Sequence, residues 1–265
     1  MSVQARPNFL QYLWLSLLIL SGMVAIGVLQ IPRLNTLKQT QNLSPETAKK
    51  EVESNKASLD LLQKLPAFGF DNLLADWVFI EFLEYFGDDE ARQLTDYRLS
   101  PEYFEIIVDR DPRFLDIYPF LSASTSIYAG QPETTVKLIE KGLKSLSPHQ
   151  QPRSFYVWRY KATDELLFLG DPQAARQSFQ KAAEWASIHP DEESQQVAQV
   201  SRQTAQFLEN NPDSKSAQVS AWGMVLQNAV DKETREAAVL RIEELGGKVT
   251  VSEQGVVDVQ LPEQD

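Results

Sequence analysis

The sequence contains no cysteine, so neither disulfide bonds nor thiolate metal sites can form. Histidine is almost absent as well, and the two present, His149 and His189, are too few for a histidine-based metal centre. Basic residues are in the minority, with 25 Lys and Arg against 37 Asp and Glu and a formal net charge of -12. Because so acidic a surface repels phosphate backbones, the composition argues against nucleic acid as a partner.

Motifs that carry catalysis are also missing. The chain has no G-x-x-x-x-G-K-[ST], G-x-G-x-x-G, H-E-x-x-H or G-x-S-x-G pattern. His149 and His189 both border proline in predicted loops, and neither has an obvious nucleophile or orienting partner. The acidic run Asp88-Asp89-Glu90 lacks the spaced oxygen ligands and the glycine of a calcium loop. We therefore predict no enzymatic activity, no cofactor, no metal and no small-molecule substrate.

Charged residues are absent from Pro7 to Pro32, and residues 9–31 are almost entirely apolar. A helix of that length spans about 34 Å, enough to cross a hydrocarbon core of about 30 Å. The sequence thus predicts a transmembrane helix at residues 9–31 after a short tail, residues 1–8. A cleaved signal peptide is the alternative, with Ala25-Ile26-Gly27 as a small-x-small cleavage site.

The residues that follow this run bear on orientation and on the link to the rest of the chain. Arg6 and the α-amino group precede the run, and Arg33, Lys38, Lys49 and Lys50 follow it, a count that favours a cytoplasmic soluble domain. The alternative is a signal anchor with the domain outside, which a short basic tail before an apolar run also suits. Residues 32–64 are polar. They are predicted to form either a stalk with a helix that begins at Pro45 or a disordered linker.

Beyond this polar segment, apolar residues recur at helical spacing and three similar turns interrupt them. Each turn contains a glycine, namely Gly87, Gly130 and Gly170, which are 43 and 40 residues apart. Each glycine is predicted to end a helix in the left-handed conformation, and Pro132 and Pro172 are predicted to open the helices that follow. Self-similarity at such a period is typical of a helical solenoid.

Residues 169–185, LGDPQAARQSFQKAAEW, resemble the second half of a tetratricopeptide repeat (TPR). In that family a small, an aromatic and a second small residue lie on helix B, here Ala175, Phe179 and Ala182. The preceding unit resembles the pattern at four corresponding positions: Ala123, Thr135, Ile139 and Gly142. The period exceeds the family's usual length of about 34 residues. The resemblance implies an all-α fold, a right-handed α-solenoid of TPR-like helix pairs over residues 65–190.

The C-terminal part is predicted to cap this array. Residues 191–247 carry three helical patterns, at 192–209, 214–230 and 232–245. Residues 248–265 begin with alternating apolar and polar residues about a glycine, which predicts a small β-hairpin and a tail. A lone hairpin is marginally stable in water, so it must dock on the helices or stay mobile.

The TPR resemblance implies a protein-binding surface on the concave face, built chiefly from the first helix of each pair. Carried over to this sequence, that partner-binding surface comprises nine residues: Trp77, Glu81, Tyr85, Phe120, Ser124, Tyr128, Tyr160, Asp164 and Phe168. A surface with acidic and phenolic groups favours a client segment that carries basic and apolar residues. The alternative is that these aromatic rings belong to the core.

Together these features predict a membrane-anchored interaction scaffold or assembly factor for a membrane complex. The chain resembles TPR-type assembly factors of bacterial and photosynthetic membranes, which implies a single-pass protein of the bacterial inner membrane or the thylakoid. The implied partners are client proteins, chiefly subunits of membrane complexes. A permanent structural subunit of a membrane complex or an envelope machine is the alternative.

Overall fold

The computed structural model describes residues 19–23, 26–28, 44–229, 231–251 and 257–265 of the chain. The chain divides into two compact units, residues 1–48 and 49–265. Within the first unit, residues 19–23 and 26–28 are helical. The elements that bear on function lie in the second unit.

The predicted transmembrane helix is not among the elements of the structure. Most of residues 9–31 lie outside the described part, and no helix within that part is long and apolar enough to cross a bilayer. The longest described helix, α1 (Pro45–Lys64, 20 residues), carries charged side chains along its whole length. The predicted fold class is therefore wrong in its membrane-spanning helix. The described chain is mostly helical and has a small β-hairpin, and its helices give the predicted single-pass location no support.

Helix α1 begins at Pro45, where the sequence predicts a helix start. The Oγ atom of Ser44 accepts a hydrogen bond from the backbone N–H of Thr47 at 3.2 Å, which caps the first turn. Further along the helix, Leu59 is only 4% exposed and belongs to the main apolar cluster of the second unit. The helical alternative is thus the one observed for this segment, and the C-terminal half of α1 contributes to the core.

The second unit continues with helices whose bounds are α2 (Asp71–Gly87), α3 (Asp89–Thr95), α4 (Ser100–Arg110), α5 (Tyr118–Leu121), α6 (Pro132–Leu143), α7 (Phe155–Leu167), α8 (Pro172–Ala186), α9 (Glu192–Asn210), α10 (Lys215–Asn228) and α11 (Lys232–Glu244). A 3₁₀ turn, Leu115–Ile117, precedes α5, and a π-helix, Ser122–Tyr128, follows it directly. Pro132 and Pro172 stand at the first turns of α6 and α8, as predicted.

Neighbouring helices along the chain pack on one another. Helix α2 packs on α4, α6 on α7, α7 on α8, α8 on α9, and α10 on α11. The core beneath α2 and α4 is aromatic, with the ring of Phe82 4.6 Å from that of Phe104 and 5.9 Å from that of Tyr103. Such edge-to-face contacts fill much of the space between these two helices.

The positions that carry the TPR resemblance are buried, except for the half-buried Ala123. Ala175 and Ala182 are fully buried and Phe179 is 2% exposed. Gly142 permits the closest approach, because a Cβ atom there would lie 1.8 Å from the Oη atom of Tyr118. Small residues at these places therefore determine how closely the helices pack.

Two of the three predicted glycine turns share one geometry. Gly130 and Gly170 both have a φ angle of 65°, in the left-handed region. The same backbone hydrogen bonds, of 3.0 and 2.8 Å, recur 40 residues apart: Ala129 to Ser124 and Gln131 to Thr125 in the first turn, and Leu169 to Asp164 and Asp171 to Glu165 in the second. The chain thus repeats itself locally over these two turns.

The third predicted turn is built differently. Gly87 is the last residue of α2 and is not left-handed, so the prediction for this glycine is wrong. The next helix starts at once, and Asp88 serves as its N-cap by accepting a hydrogen bond from the N–H of Ala91 at 3.1 Å. Asp88, with φ -87° and ψ 78°, makes the turn without any left-handed residue.

The predicted hairpin is present and docks on helices. Strands β1 (Lys248–Val251) and β2 (Val257–Gln260) pair antiparallel, with Val249 opposite Val259. The Val259 side chain packs near Gly223 of α10, where a Cβ atom would be 3.6 Å away. Val249 and Val259 join an apolar cluster with Ile242 of α11. Burial against two helices gives this short hairpin the support that it lacks alone.

Candidate functional site

Helix α2 is apolar on two opposite faces. Its inner face fills the core with Ala75, Val78, Phe82 and Tyr85, all at most 4% exposed. Its outer face carries a stripe of exposed apolar side chains at helical spacing, which we call the outer ridge: Phe70 (64% exposed), Leu73 (62%), Trp77 (55%) and Ile80 (53%). Phe70 belongs to the stripe because its carbonyl already accepts the first helical hydrogen bond, from Leu74. At about 1.5 Å per residue, the ridge is about 15 Å long.

The loop before α2 presents another exposed ring. Phe68 is 85% exposed and has a φ angle of 51°, a left-handed conformation that is rare for a bulky residue. The loop is fixed at its base by Arg110, which donates a hydrogen bond to the carbonyl of Leu65 at 2.7 Å and forms an ion pair with Asp71 at 3.0 Å. A strained aromatic residue held on a fixed loop is a feature that clusters at binding sites.

The ridge is bordered by carboxylates. At 100° per residue, Asp76 lies along one edge of the stripe, Glu81 along the other, and Glu84 at its C-terminal end. Asp76 and Glu84 are exposed and Glu81 is half-buried. None of the three forms an ion pair with a residue that the structure describes. Helix α2 itself contains no lysine or arginine, so its own charged side chains are all acidic.

The nine residues predicted to bind a partner do not line one open surface. Trp77 is exposed, on the outer ridge, whereas Tyr85, Ser124 and Asp164 are at most 4% exposed and face the interior. The remaining five are half-buried: Glu81, Phe120, Tyr128, Tyr160 and Phe168. The buried side chains offer almost no surface to a partner in this conformation.

The half-buried rings of that set are engaged within the fold. Phe120 packs edge-to-face on Phe79, with centroids 5.3 Å apart, and Phe168 packs edge-to-face on Trp222 at 5.9 Å. The other two make hydrogen bonds across the unit: Tyr128 to the hydroxyl of Thr234 at 2.9 Å, and Tyr160 to the amide oxygen of Asn228 at 3.2 Å. These contacts match the alternative that assigned the rings to the core.

Asp164 lies at the centre of a buried polar region. Its side chain is fully buried, and neither carboxylate oxygen has a hydrogen-bond partner among the described residues. Burial raises the pKa of this carboxyl group to about 7, and the nearby hydroxyls of Ser126 and Ser122 on the π-helix only partly offset that effect. Asp164 is therefore close to half protonated at neutral pH. Ser124 occupies the equivalent position in the turn at Gly130, and it is buried as well.

A second polar cluster lies in a cleft of about 670 Å³ between α6, α7 and α8. Lys161 and Glu165 form a buried ion pair there, and the hydroxyl of Ser178 donates to the Oε2 atom of Glu165 at 2.6 Å. The Lys161 amine is also 3.3 Å from the carboxylate of Glu140. The indole N–H of Trp158 lines the same cleft and has no acceptor among the described residues. Lys161, Glu165 and Ser178 bind one another, so the cluster joins α7 to α8.

Sequence reasoning found Trp77 but missed the other members of the outer ridge, namely Phe70, Leu73 and Ile80. The available signal was the composition of α2, whose 17 residues carry apolar side chains on two opposite faces. A second apolar face exceeds what one side of a core requires.

No family model, no curated protein and no solved structure matches this chain. The functional assignment therefore rests on the geometry of the outer ridge and its charged border.

Proposed function

We propose that this protein is a protein-interaction module that docks a separate protein on the outer ridge. The observation that carries the proposal is the two-faced character of α2, in which Leu73, Trp77 and Ile80 remain more than half exposed beside a well-filled core. A helix that only supports a core needs one apolar stripe. Contiguous exposed apolar side chains with polar borders mark interaction surfaces.

The ridge has enough apolar surface for useful affinity. Full burial of one large apolar side chain stabilises by about 1.5–3 kcal/mol. The four ridge side chains are each more than half exposed. Covering them therefore offers on the order of 5 kcal/mol before the entropic costs of association. Trp77 is the natural anchor, because tryptophan is enriched among residues that dominate interface energies.

We further propose that the ridge belongs to a TPR-like scaffold. The turns at Gly130 and Gly170, with their repeated hydrogen bonds, support this assignment for the part of the chain that follows the ridge. Two roles fit such a scaffold, a transient assembly factor and a permanent structural subunit. The stoichiometry of the docked complex distinguishes them.

The test is site-specific photo-crosslinking of the full chain in the cells that produce it. The photoreactive residue p-benzoylphenylalanine replaces Trp77 in one variant and Leu73 in a second. A third variant carries it at Leu240 of α11, which is similarly exposed at 56% and serves as the matched control. We expect a discrete protein adduct at the two ridge positions and none at Leu240. Near-complete conversion indicates a permanent subunit, and a small converted fraction indicates a transient factor.

Several outcomes would reject the proposal. Equal adduct patterns at Trp77 and Leu240 would show that the ridge has no special partner. Adducts of twice the mass of the chain would identify a second copy as the occupant. Crosslinks within one chain would show that another segment of the same protein covers the ridge.

A further inference from the structure

The outer ridge offers side chains but no backbone groups. Residues 71–87 form one continuous α-helix, so their amide and carbonyl groups are engaged in helical hydrogen bonds. A partner therefore cannot extend a sheet here and must contribute its own side chains. The ridge side chains recur at intervals of three and four residues, the spacing that fits the grooves of a second helix.

The border of the ridge specifies charge as well as shape. Asp76 and Glu81 flank the stripe on opposite edges, and Glu84 ends it, all without an ion-pair partner in the described part of the chain. The guanidinium of Arg110, near the start of α2, is already bound to Asp71 and to carbonyl groups before the helix. Unpaired carboxylates on both sides of an apolar stripe attract basic residues on both sides of a complementary stripe.

We propose that the segment docked on the outer ridge is an amphipathic helix of a partner protein, with lysine or arginine on both edges of its apolar stripe. This inference rests on the proposed function and specifies the chemistry of its partner. Two other occupants fit the charges less well. An anionic lipid surface is repelled by Asp76, Glu81 and Glu84, and a second copy of the chain would bring the same carboxylates face to face.

The experiment measures binding of three labelled 18-residue peptides to the full chain by fluorescence anisotropy. The first carries a leucine stripe at helical spacing with lysines on both edges. The second has the same stripe with glutamates, and the third is a scrambled version of the first, with equal composition and no stripe. We expect the first to bind at least tenfold more tightly than the other two, and to lose at least threefold in affinity between about 50 and 300 mM salt.

Variants of the chain locate the binding. Trp77→Ala and Ile80→Asp should each weaken the lysine peptide at least tenfold, whereas Leu240→Ala, at an exposed site on α11, should not. The double variant Asp76→Lys/Glu81→Lys should reverse the preference, so that the glutamate peptide becomes the better ligand. Circular dichroism of each variant excludes unfolding as the cause. A native spectrum is the expected result, because the changed side chains on α2 lie on its exposed face or at the border of that face.

Contrary results have distinct meanings. Equal binding of the scrambled peptide, or an unchanged preference in Asp76→Lys/Glu81→Lys, would overturn the inferred partner chemistry. Binding to anionic vesicles that Trp77→Ala abolishes would assign the ridge to a lipid surface, and self-association with the same sensitivity would assign it to a second copy. If the photo-adduct at Trp77 forms and no peptide is preferred, docking stands and only the basic helix is rejected.

Discussion

Replacing Asp164 with asparagine should change how the stability of this protein depends on pH. The carboxyl group is fully buried and its pKa is raised from 3.8 to about 7. Between those pH values the folded protein holds a proton at Asp164 that the unfolded chain has released. The free energy of unfolding contributed by this group therefore falls as the pH rises through that window, and it becomes constant above about pH 7.

The size of the effect follows from the pKa. At about 1.4 kcal/mol per pKa unit, the ionised carboxylate destabilises the fold by about 4 kcal/mol above pH 7. Within the accessible range of pH 5 to 8, the change amounts to about 3 kcal/mol. Asparagine has nearly the shape of the protonated acid and does not titrate. The gain in stability of Asp164→Asn over the natural chain should thus grow by about 3 kcal/mol between pH 5 and pH 8.

Urea unfolding at several pH values measures this difference directly. Because the comparison is a difference between two proteins, the titration of all other carboxylates cancels. Asp213→Asn removes an equal charge at an exposed site and is the matched control, for which the difference should stay nearly constant. If the difference for Asp164→Asn also stays within about 0.5 kcal/mol across the range, the carboxyl group is not buried as the structure places it.

Two further substitutions test the packing. Gly142→Ala should destabilise the fold by about 1–3 kcal/mol, because its Cβ would clash with Tyr118, while Gly87→Ala, with open space around it, should be near neutral in the same urea assay. Lys161→Met should cost about 3–5 kcal/mol by leaving Glu165 buried without its cation, and adding Glu165→Gln should recover most of that loss; no recovery would contradict the ion-pair account.

Local signals predicted much of the helical framework. Helix α8 runs from Pro172 to Ala186, the bounds that proline at its start and the amphipathic pattern indicate. Asp171 supports that start by accepting a hydrogen bond from the N–H of Ala174 at 2.9 Å. The hairpin was predictable for the same reason, since alternation and a central glycine are properties of adjacent residues.

The candidate site was harder to predict, because the sequence patterns of two helices do not show which of their faces is buried. Helix α2 is apolar on two opposite faces, so the pattern does not show that Tyr85 points inward and Trp77 outward. Helix α7 is buried on nearly every side and places Lys161, Asp164 and Glu165 in the interior. From the sequence alone, polar residues at such positions predict an exposed face, because charged side chains are seldom buried.

The π-helix was not predicted from the sequence, and its geometry changes which side chains share a face. A wider turn between Ser122 and Tyr128 shifts the following side chains around the axis relative to an α-helix. The TPR geometry that was carried over to Ser124 and Tyr128 assumes regular α-helices, and this segment is a π-helix instead. The sequence SASTSIY carries no signal that distinguishes the two helix types.

The hydrogen bond between Tyr128 and Thr234 links residues 106 positions apart along the chain. In an array whose units touch only their neighbours, unfolding can begin at one end and an end can fray alone. Here α11 returns to the π-helix, and Tyr160 and Asn228 tie α7 to α10 in the same way. Opening the C-terminal helices therefore uncovers the middle of the unit, which makes unfolding cooperative across these elements. The same long-range closure slows folding, since the loop between Tyr128 and Thr234 must be ordered before the contact can form.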